Sequence, residues 1–232
     1  MMYDYTDIRT VHLEITEKCN AACPMCARNI NGGEDNPWLQ NSELSLNDII
    51  TIFPNNFIEQ LNHMFMCGNY GDPIVAKDTL KVFKHFRKVN PTIYLSMNTN
   101  GSARTKQWWI ELAEVIGTDG YVIFSIDGLE DTNYLYRKNT VWEKIMENAG
   151  SFIDAGGNAH WEYIVFQHNE HQVQQAERLS EEMGFQKFQL KTSSRFFSSV
   201  SGTNKSYIKT IDRHGSEIVI REPRGAAYAN QS

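Results

Sequence analysis

The sequence predicts an α/β protein: a partial, TIM-like (β/α)6 barrel of parallel strands, followed by a short C-terminal loop and hairpin extension. Three observations carry that reading. Six short apolar or alternating runs, rich in aromatic and β-branched residues, recur along the chain. Five segments of helical period lie between them, and Gly or Asn-Pro punctuation closes most of these segments. Strands alternating with helices at this spacing form parallel βα units, and six such units suit an open barrel better than the closed eightfold one.

The first strand is read at residues 11–15 (VHLEI), and a helix over 46–61 follows a cap region containing Ser45. The second strand is 63–66 (HMFM), with a helix over 76–89 stopped by Asn90-Pro91. Strand 93–97 (IYLSM) precedes helix 105–116, which ends at Gly117, and strand 121–126 (YVIFSI) precedes helix 141–155, which ends at Gly156-Gly157. Strand 159–166 (AHWEYIVF) leads to helix 171–183, closed by Gly184, and 188–190 (FQL) is the sixth strand. After Lys191 the pattern stops: 192–204 reads as loop, and 207–211 with 217–220 form a hairpin around Asp212-Arg213-His214-Gly215. The expected division is a barrel core over 1–191 and an extension over 192–232.

Composition narrows the class. Four cysteines in 232 residues are too few for a disulfide-stapled scaffold, the opening MMYDYTDIRT lacks the order of a signal peptide, and no apolar run spans a membrane. A soluble protein of the reducing cytoplasm is expected, where clustered thiols mean metal or redox chemistry. The net charge of -6 argues against a general nucleic-acid binder, and the modest basic excess near Lys205, Lys209 and Arg221 reads as a solvated surface.

In a parallel βα array the loops after the strands share one rim. That rim receives Cys19-x3-Cys23-x2-Cys26 after strand one, Cys67-Gly68-Asn69-Tyr70-Gly71-Asp72-Pro73 after strand two, and Asn98-Thr99-Asn100-Gly101 after strand three. Strand four delivers Ser125-Ile126-Asp127-Gly128, and strand five Gln167-His168-Asn169. A structural zinc site would need a fourth ligand, and only His12 lies near in sequence. Three thiols from one loop suit a 4Fe-4S cluster that leaves one iron open for chemistry, whereas an electron carrier would recruit a fourth thiol, for which Cys67 is the candidate.

With that cysteine spacing behind the first strand of six units, the stretch from Thr10 to about Lys191 resembles the radical S-adenosylmethionine (radical SAM) enzymes. The "SIDG…R" pattern and the stretch from Asn169 to Phe185 are most similar to the MoaA/SPASM-like branch. The resemblance implies a 4Fe-4S cluster on Cys19, Cys23 and Cys26, and S-adenosylmethionine chelated to the open iron. One electron from an external flavodoxin or ferredoxin type donor then cleaves the sulfonium to a 5'-deoxyadenosyl radical, which takes a hydrogen atom from the substrate.

Carried over by position, Tyr70, Gly71 and Asp72 stand where the family has Gly-Gly-Glu and hold the cofactor's ammonium, with Tyr for the first Gly and Asp for Glu. Asn98, Asn100, Ser125 and Asp127 are strand-end polar groups for the cofactor, and Arg137 clamps its carboxylate. Met25 replaces the usual aromatic residue near the adenine, and no cysteine follows Cys67 for the auxiliary clusters of that branch, so the chain is either a minimal member or ends early. The branch implies a peptide or protein substrate. On strand five, His160, Glu162, Ile164 and Phe166 share one face, and the loop 192–204, with Phe196 and Phe197, is placed to cover a substrate beside it. The competing reading is a non-catalytic iron-sulfur or zinc protein, serving structure or electron transfer, that also uses Cys67.

Overall fold

A computed structural model describes residues 4–198, 203–204, 206–212 and 215–225, with 197–198 and 203–204 described by backbone alone. The main sheet holds β1 (Thr10–Leu13), β2 (His63–Met66), β3 (Tyr94–Thr99), β4 (Gly120–Ser125), β5 (Ala159–Ile164) and β6 (Lys187–Lys191). They lie side by side in chain order, every neighbouring pair parallel. Among the described residues β1 and β6 pair only inward, so this partial barrel keeps two free edges.

The helices are α1 (Leu46–Ile52), α2 (Asn55–Glu59), α3 (Thr79–Val89), α4 (Lys106–Ile116), α5 (Asn133–Tyr136), α6 (Trp142–Asp154) and α7 (Val173–Met183). Ser45 caps α1 through reciprocal bonds with Asp48, and Thr105 caps α4 by accepting the Trp108 N–H. The single helix expected over 46–61 is two. Pro54 stands between them without a donor N–H and with an extended backbone. Helix α3 starts three residues later than 76, because the chain there is tied into turns by Val75 N–H to Asp72 O and Ala76 N–H to Pro73 O. Strand five ends at Ile164 rather than Phe166: the Asn169 side chain accepts the Phe166 N–H and donates to the Ile164 carbonyl, turning the chain.

The two faces of the sheet differ. On β4 and β5 buried and half-buried residues alternate strictly. The outer residues Met64, Met97, Val122, Phe124, Trp161 and Tyr163 are sealed in the main core with Phe83, Phe86, Trp109 and Phe152 from the helices. A parallel sheet covered on both faces would read as a continuous apolar run. Here the inner face borders open space instead, and carries a belt of rings across five strands. His12 stacks on Phe65 (4.5 Å between centroids), Phe65 meets His63, His63 meets Tyr94, Tyr94 meets Tyr121, and Tyr121 stacks on His160 (4.6 Å).

Beyond β6, the expected loop over 192–204 contains a 3-10 turn at Ser194–Phe196 and a short antiparallel ladder of β7 (Phe197–Ser198) with β8 (Thr203–Asn204). Its middle, residues 199–202, and the Phe197 side chain lie outside the described residues. The expected hairpin is β9 (Tyr207–Ile211) against β10 (Glu217–Arg221), antiparallel throughout. Gln167 N–H donates to Arg221 O, joining this hairpin to the rim beyond β5. A second, smaller core follows from that contact: Ala21, Cys23, Tyr136, Phe166, Phe196 and Ile220 are buried together.

Candidate cluster and cofactor site

The long connection from β1 to α1 is held open as a structured loop by Arg28. This buried guanidinium donates to Glu17 O, to Asp35 Oδ2 (2.8 Å) and to Asn41 Oδ1. Within the loop Cys26 N–H closes a turn on Cys23 O, and Asn29 Nδ2 donates to the same carbonyl. All four cysteines are free thiols, and Cys19, Cys23, Cys26 and Cys67 line one cavity of about 290 Å³ at the C-terminal end of the sheet. A larger cleft of about 820 Å³, bordered by Glu130, Asp131 and Trp142, holds none of them; the donor chemistry, and not the size, marks the site.

Two of the loop sulfurs have N–H neighbours. Cys19 Sγ accepts from Ala21 N–H at 3.3 Å and lies 3.8 Å from Asn100 Nδ2, and Cys23 Sγ lies 3.8 Å from Arg137 Nη1. Burial pushes the Cys19 thiol up to about 12, with the neighbouring Asp72 carboxylate adding to the shift. Burial likewise raises Cys23, against the pull of Arg137. Among the described residues no three His, Cys, Asp or Glu side chains converge tightly enough to hold a single metal ion. Thiols spread around a shared cavity are the donor set of a multi-iron cluster, in which each sulfur takes its own iron.

Of the residues expected to hold S-adenosylmethionine, Gly71, Asp72, Asn98, Asn100, Ser125 and Arg137 line the cavity with the cysteines. Asp72 is 6 % exposed, and its carboxylate is already engaged. Thr99 Oγ1 and Ile74 N–H donate to Oδ1, while the backbone and side-chain N–H groups of Asn100 both donate to Oδ2 at 2.7 Å. It therefore ties the second loop to the third. Gly71 is fixed by crowding: a Cβ there would come within 2.0 Å of Thr16 O. Met25 and Tyr70 line a neighbouring cleft of about 720 Å³ that shares Cys26 with the cavity.

Asp127, expected to face the cofactor, is fully buried and outside the cavity lining. Its Oδ2 accepts Arg137 Nε at 2.6 Å and its Oδ1 accepts Ile164 N–H at 2.6 Å, so it anchors Arg137. Burial by itself opposes the Arg137 charge, but the Asp127 carboxylate more than offsets it and the guanidinium stays protonated. Phe196, expected in a loop that covers the substrate, is 3 % exposed and packs in the second core.

Three contributors escaped the sequence reading. Glu14 Oε2 accepts the Asn69 N–H, fixing the second loop; Arg195 Nη1 donates to Met25 O at 3.0 Å, and Tyr136 lines the cavity. Only alternation could have flagged Glu14, two residues past His12 on the inner face.

A family model described as "Radical SAM superfamily" matches residues 13–179. The chain belongs to the radical SAM superfamily. As a radical SAM protein it is an enzyme, and the superfamily implies a 4Fe-4S cluster and S-adenosylmethionine. Among solved structures it is similar to Streptococcus suis SuiB bound to precursor peptide SuiA, with a TM-score of 0.65 and 14% identity over 84% of this chain and 42% of that one. It is also similar to anSMEcpe with bound AdoMet, with a TM-score of 0.62 and 19% identity over 79% of this chain and 49% of that one. At such identities the likeness is one of fold, and this radical SAM chain spans less than half the length of either structure.

Proposed function

We propose that this radical SAM enzyme holds a 4Fe-4S cluster on Cys19, Cys23 and Cys26, binds S-adenosylmethionine beside it, and abstracts hydrogen from a peptide or protein substrate. One observation carries the reading: the three thiols open on a single cavity whose other walls include the polar strand-end residues Asn98 and Ser125 and, just past α5, Arg137. When bound, cluster and cofactor together supply one-electron cleavage of a sulfonium and hydrogen abstraction. The protein's own groups bind and orient. Arg137 carries its charge into the cavity, and its Nη2 makes no hydrogen bond among the described residues, leaving that edge for the cofactor's carboxylate. Asn98 and Ser125 supply neutral donors and acceptors; Gly71 brings backbone close. The barrel core carries this chemistry, and Thr192, Ser193, Ser194 and Arg195 from the start of the extension wall the cavity on one side. The electron comes from an external flavodoxin or ferredoxin type donor, and four free thiols suit a reducing cytoplasm.

A peptide substrate is supported by the peptides in the titles of two similar structures, SuiB with precursor peptide SuiA and anSMEcpe with the Cp18Cys peptide. It is supported too by the open inner face, where Glu162 pairs with Lys191 at 2.6 Å below the cavity. Such a pair offers a carboxylate and an ammonium to the backbone or side chains of an incoming chain. The test is anaerobic reconstitution followed by assay of 5'-deoxyadenosine, then of a candidate peptide. Formation of 5'-deoxyadenosine supports the reading, and a reconstituted protein with full iron content but no cleavage counts against it. One observation favours a closed four-thiol site instead: Cys67 shares the cavity. Zinc retained after aerobic purification, and lost on Cys67→Ala, would decide for that alternative.

A further inference from the structure

We infer that the buried Arg137–Asp127 pair sets the reduction potential of the cluster through Cys23, with Asp127 as a positioning residue. The inference rests on the cluster assignment above. Of the loop sulfurs, Cys19 has the neutral donors Ala21 and Asn100, and Cys26 lies 3.8 Å from the Asn69 carbonyl. Cys23 alone, among the described residues, has a formal cation as its hydrogen-bond partner, Arg137 Nη1 at 3.8 Å.

That cation cannot drift. Asp127 holds its Nε at 2.6 Å, the Tyr136 ring lies 5.5 Å beneath its charge, and Asp127 is itself pinned on both sides. Its Oδ1 takes the Ile164 N–H, its own N–H goes to Asn133 Oδ1, and its carbonyl takes Asn169 Nδ2. Asp127 is fully buried and the Arg137 side chain 15% exposed, so solvent screens this pair weakly.

The sign follows from charge. Reduction adds an electron to the thiolate-ligated cluster. A guanidinium donating to Cys23 favours the reduced form and raises the potential, while the carboxylate behind it opposes that effect. With both present, the N–H donor orders the sulfur while the carboxylate cancels much of the charge, so the cluster remains a strong reductant. Removing either partner therefore shifts the potential in opposite directions, which a merely structural role would not do.

The experiment is an anaerobic redox titration of reconstituted protein without S-adenosylmethionine, followed by electron paramagnetic resonance of the reduced cluster. Iron and sulfide content of the unaltered protein is measured first; absence of a cluster there counts against the assignment of the cysteines and not against this inference. Asp127→Asn is expected to raise the potential by about tenfold in the reduction equilibrium, which for a one-electron couple is about 59 mV. Arg137→Gln is expected to lower it by a similar factor, and Arg137→Lys to stay near the unaltered value. Shifts of the same sign in Asp127→Asn and Arg137→Gln, or none in either at full cluster content, overturn the inference. Should Asp127→Asn fail to fold, the Arg137→Lys and Arg137→Gln pair decides: equal potentials overturn it, and a lower value in the Gln variant supports it.

Discussion

Cys19 and Cys23 are neutral thiols in the cluster-free protein at ordinary pH, because burial raises both, Cys19 to about 12. A cluster takes thiolates, so its assembly must release these protons. We expect the reconstitution rate to rise steadily between about pH 7 and pH 9, and alkylation of Cys19 and Cys23 by iodoacetamide to be slow over the same range. A flat reconstitution profile would contradict this. Replacing Cys19, Cys23 or Cys26 by Ala is expected to abolish cluster binding, since a two-thiolate loop leaves a second iron unheld, while Cys67→Ala keeps normal iron content. Iron analysis separates the outcomes, and an iron site that survives Cys23→Ala but is lost in Cys67→Ala reassigns the ligands. Arg137→Ala removes a charge-assisted contact worth about 1.5–3 kcal/mol, so S-adenosylmethionine affinity should fall roughly ten- to hundredfold with iron near normal. Equilibrium dialysis measures it, and unchanged affinity would remove Arg137 from the carboxylate.

Between elements, single side chains do the joining. Asn90 follows α3, and its Nδ2 donates to Ile58 O (3.0 Å) and Leu61 O (2.8 Å) at the end of α2 and the approach to β2. Asn90→Ala leaves buried carbonyls unpaired and should cost about 1–3 kcal/mol, read as a lower urea midpoint with an unchanged slope. Such contacts explain what was legible in the sequence. Strand and helix periodicity is local, so all six strands and the broad helix positions could be read directly, as could the grouping of three thiols in one loop. The break at Pro54 was visible but outweighed by the apolar pattern around it. The turn at Asn169 was not visible, because it depends on a side chain reaching the carbonyls of both Asp127 and Ile164. The setting of Asp127 is hidden for the same reason: "SIDG" names the residue, but only the fold sets its carboxylate behind Arg137, ten positions on, whose Nη1 reaches Cys23, more than a hundred positions back.

For the whole molecule, the alternation on β4 and β5 keeps Trp161 and Tyr163 under the helices and turns His160 and Glu162 to the inner face, where the proposed peptide would lie. Glu162→Gln is expected to reduce processing of a peptide substrate while 5'-deoxyadenosine still forms in its absence. Equal loss of both activities would put Glu162 with the cofactor instead. The same architecture has a second consequence, at the free margins of the sheet. A barrel that does not close leaves unpaired backbone donors and acceptors on its last strand, and such a strand templates the addition of another. Past the end of β1 the chain is shielded by its own return, with Leu44 N–H on Ile15 O and Glu17 N–H on Ser42 O. At the other margin β6 reads KFQLK, a lysine at each end of the strand. Ammonium groups at like positions would repel a second copy in register, so Lys187, and Lys191 wherever Glu162 does not engage it, are expected to oppose fibrillar self-association while the chain folds. Their joint replacement by Val should appear as light scattering during refolding from urea, and clear solutions at equal concentration would relieve them of that duty.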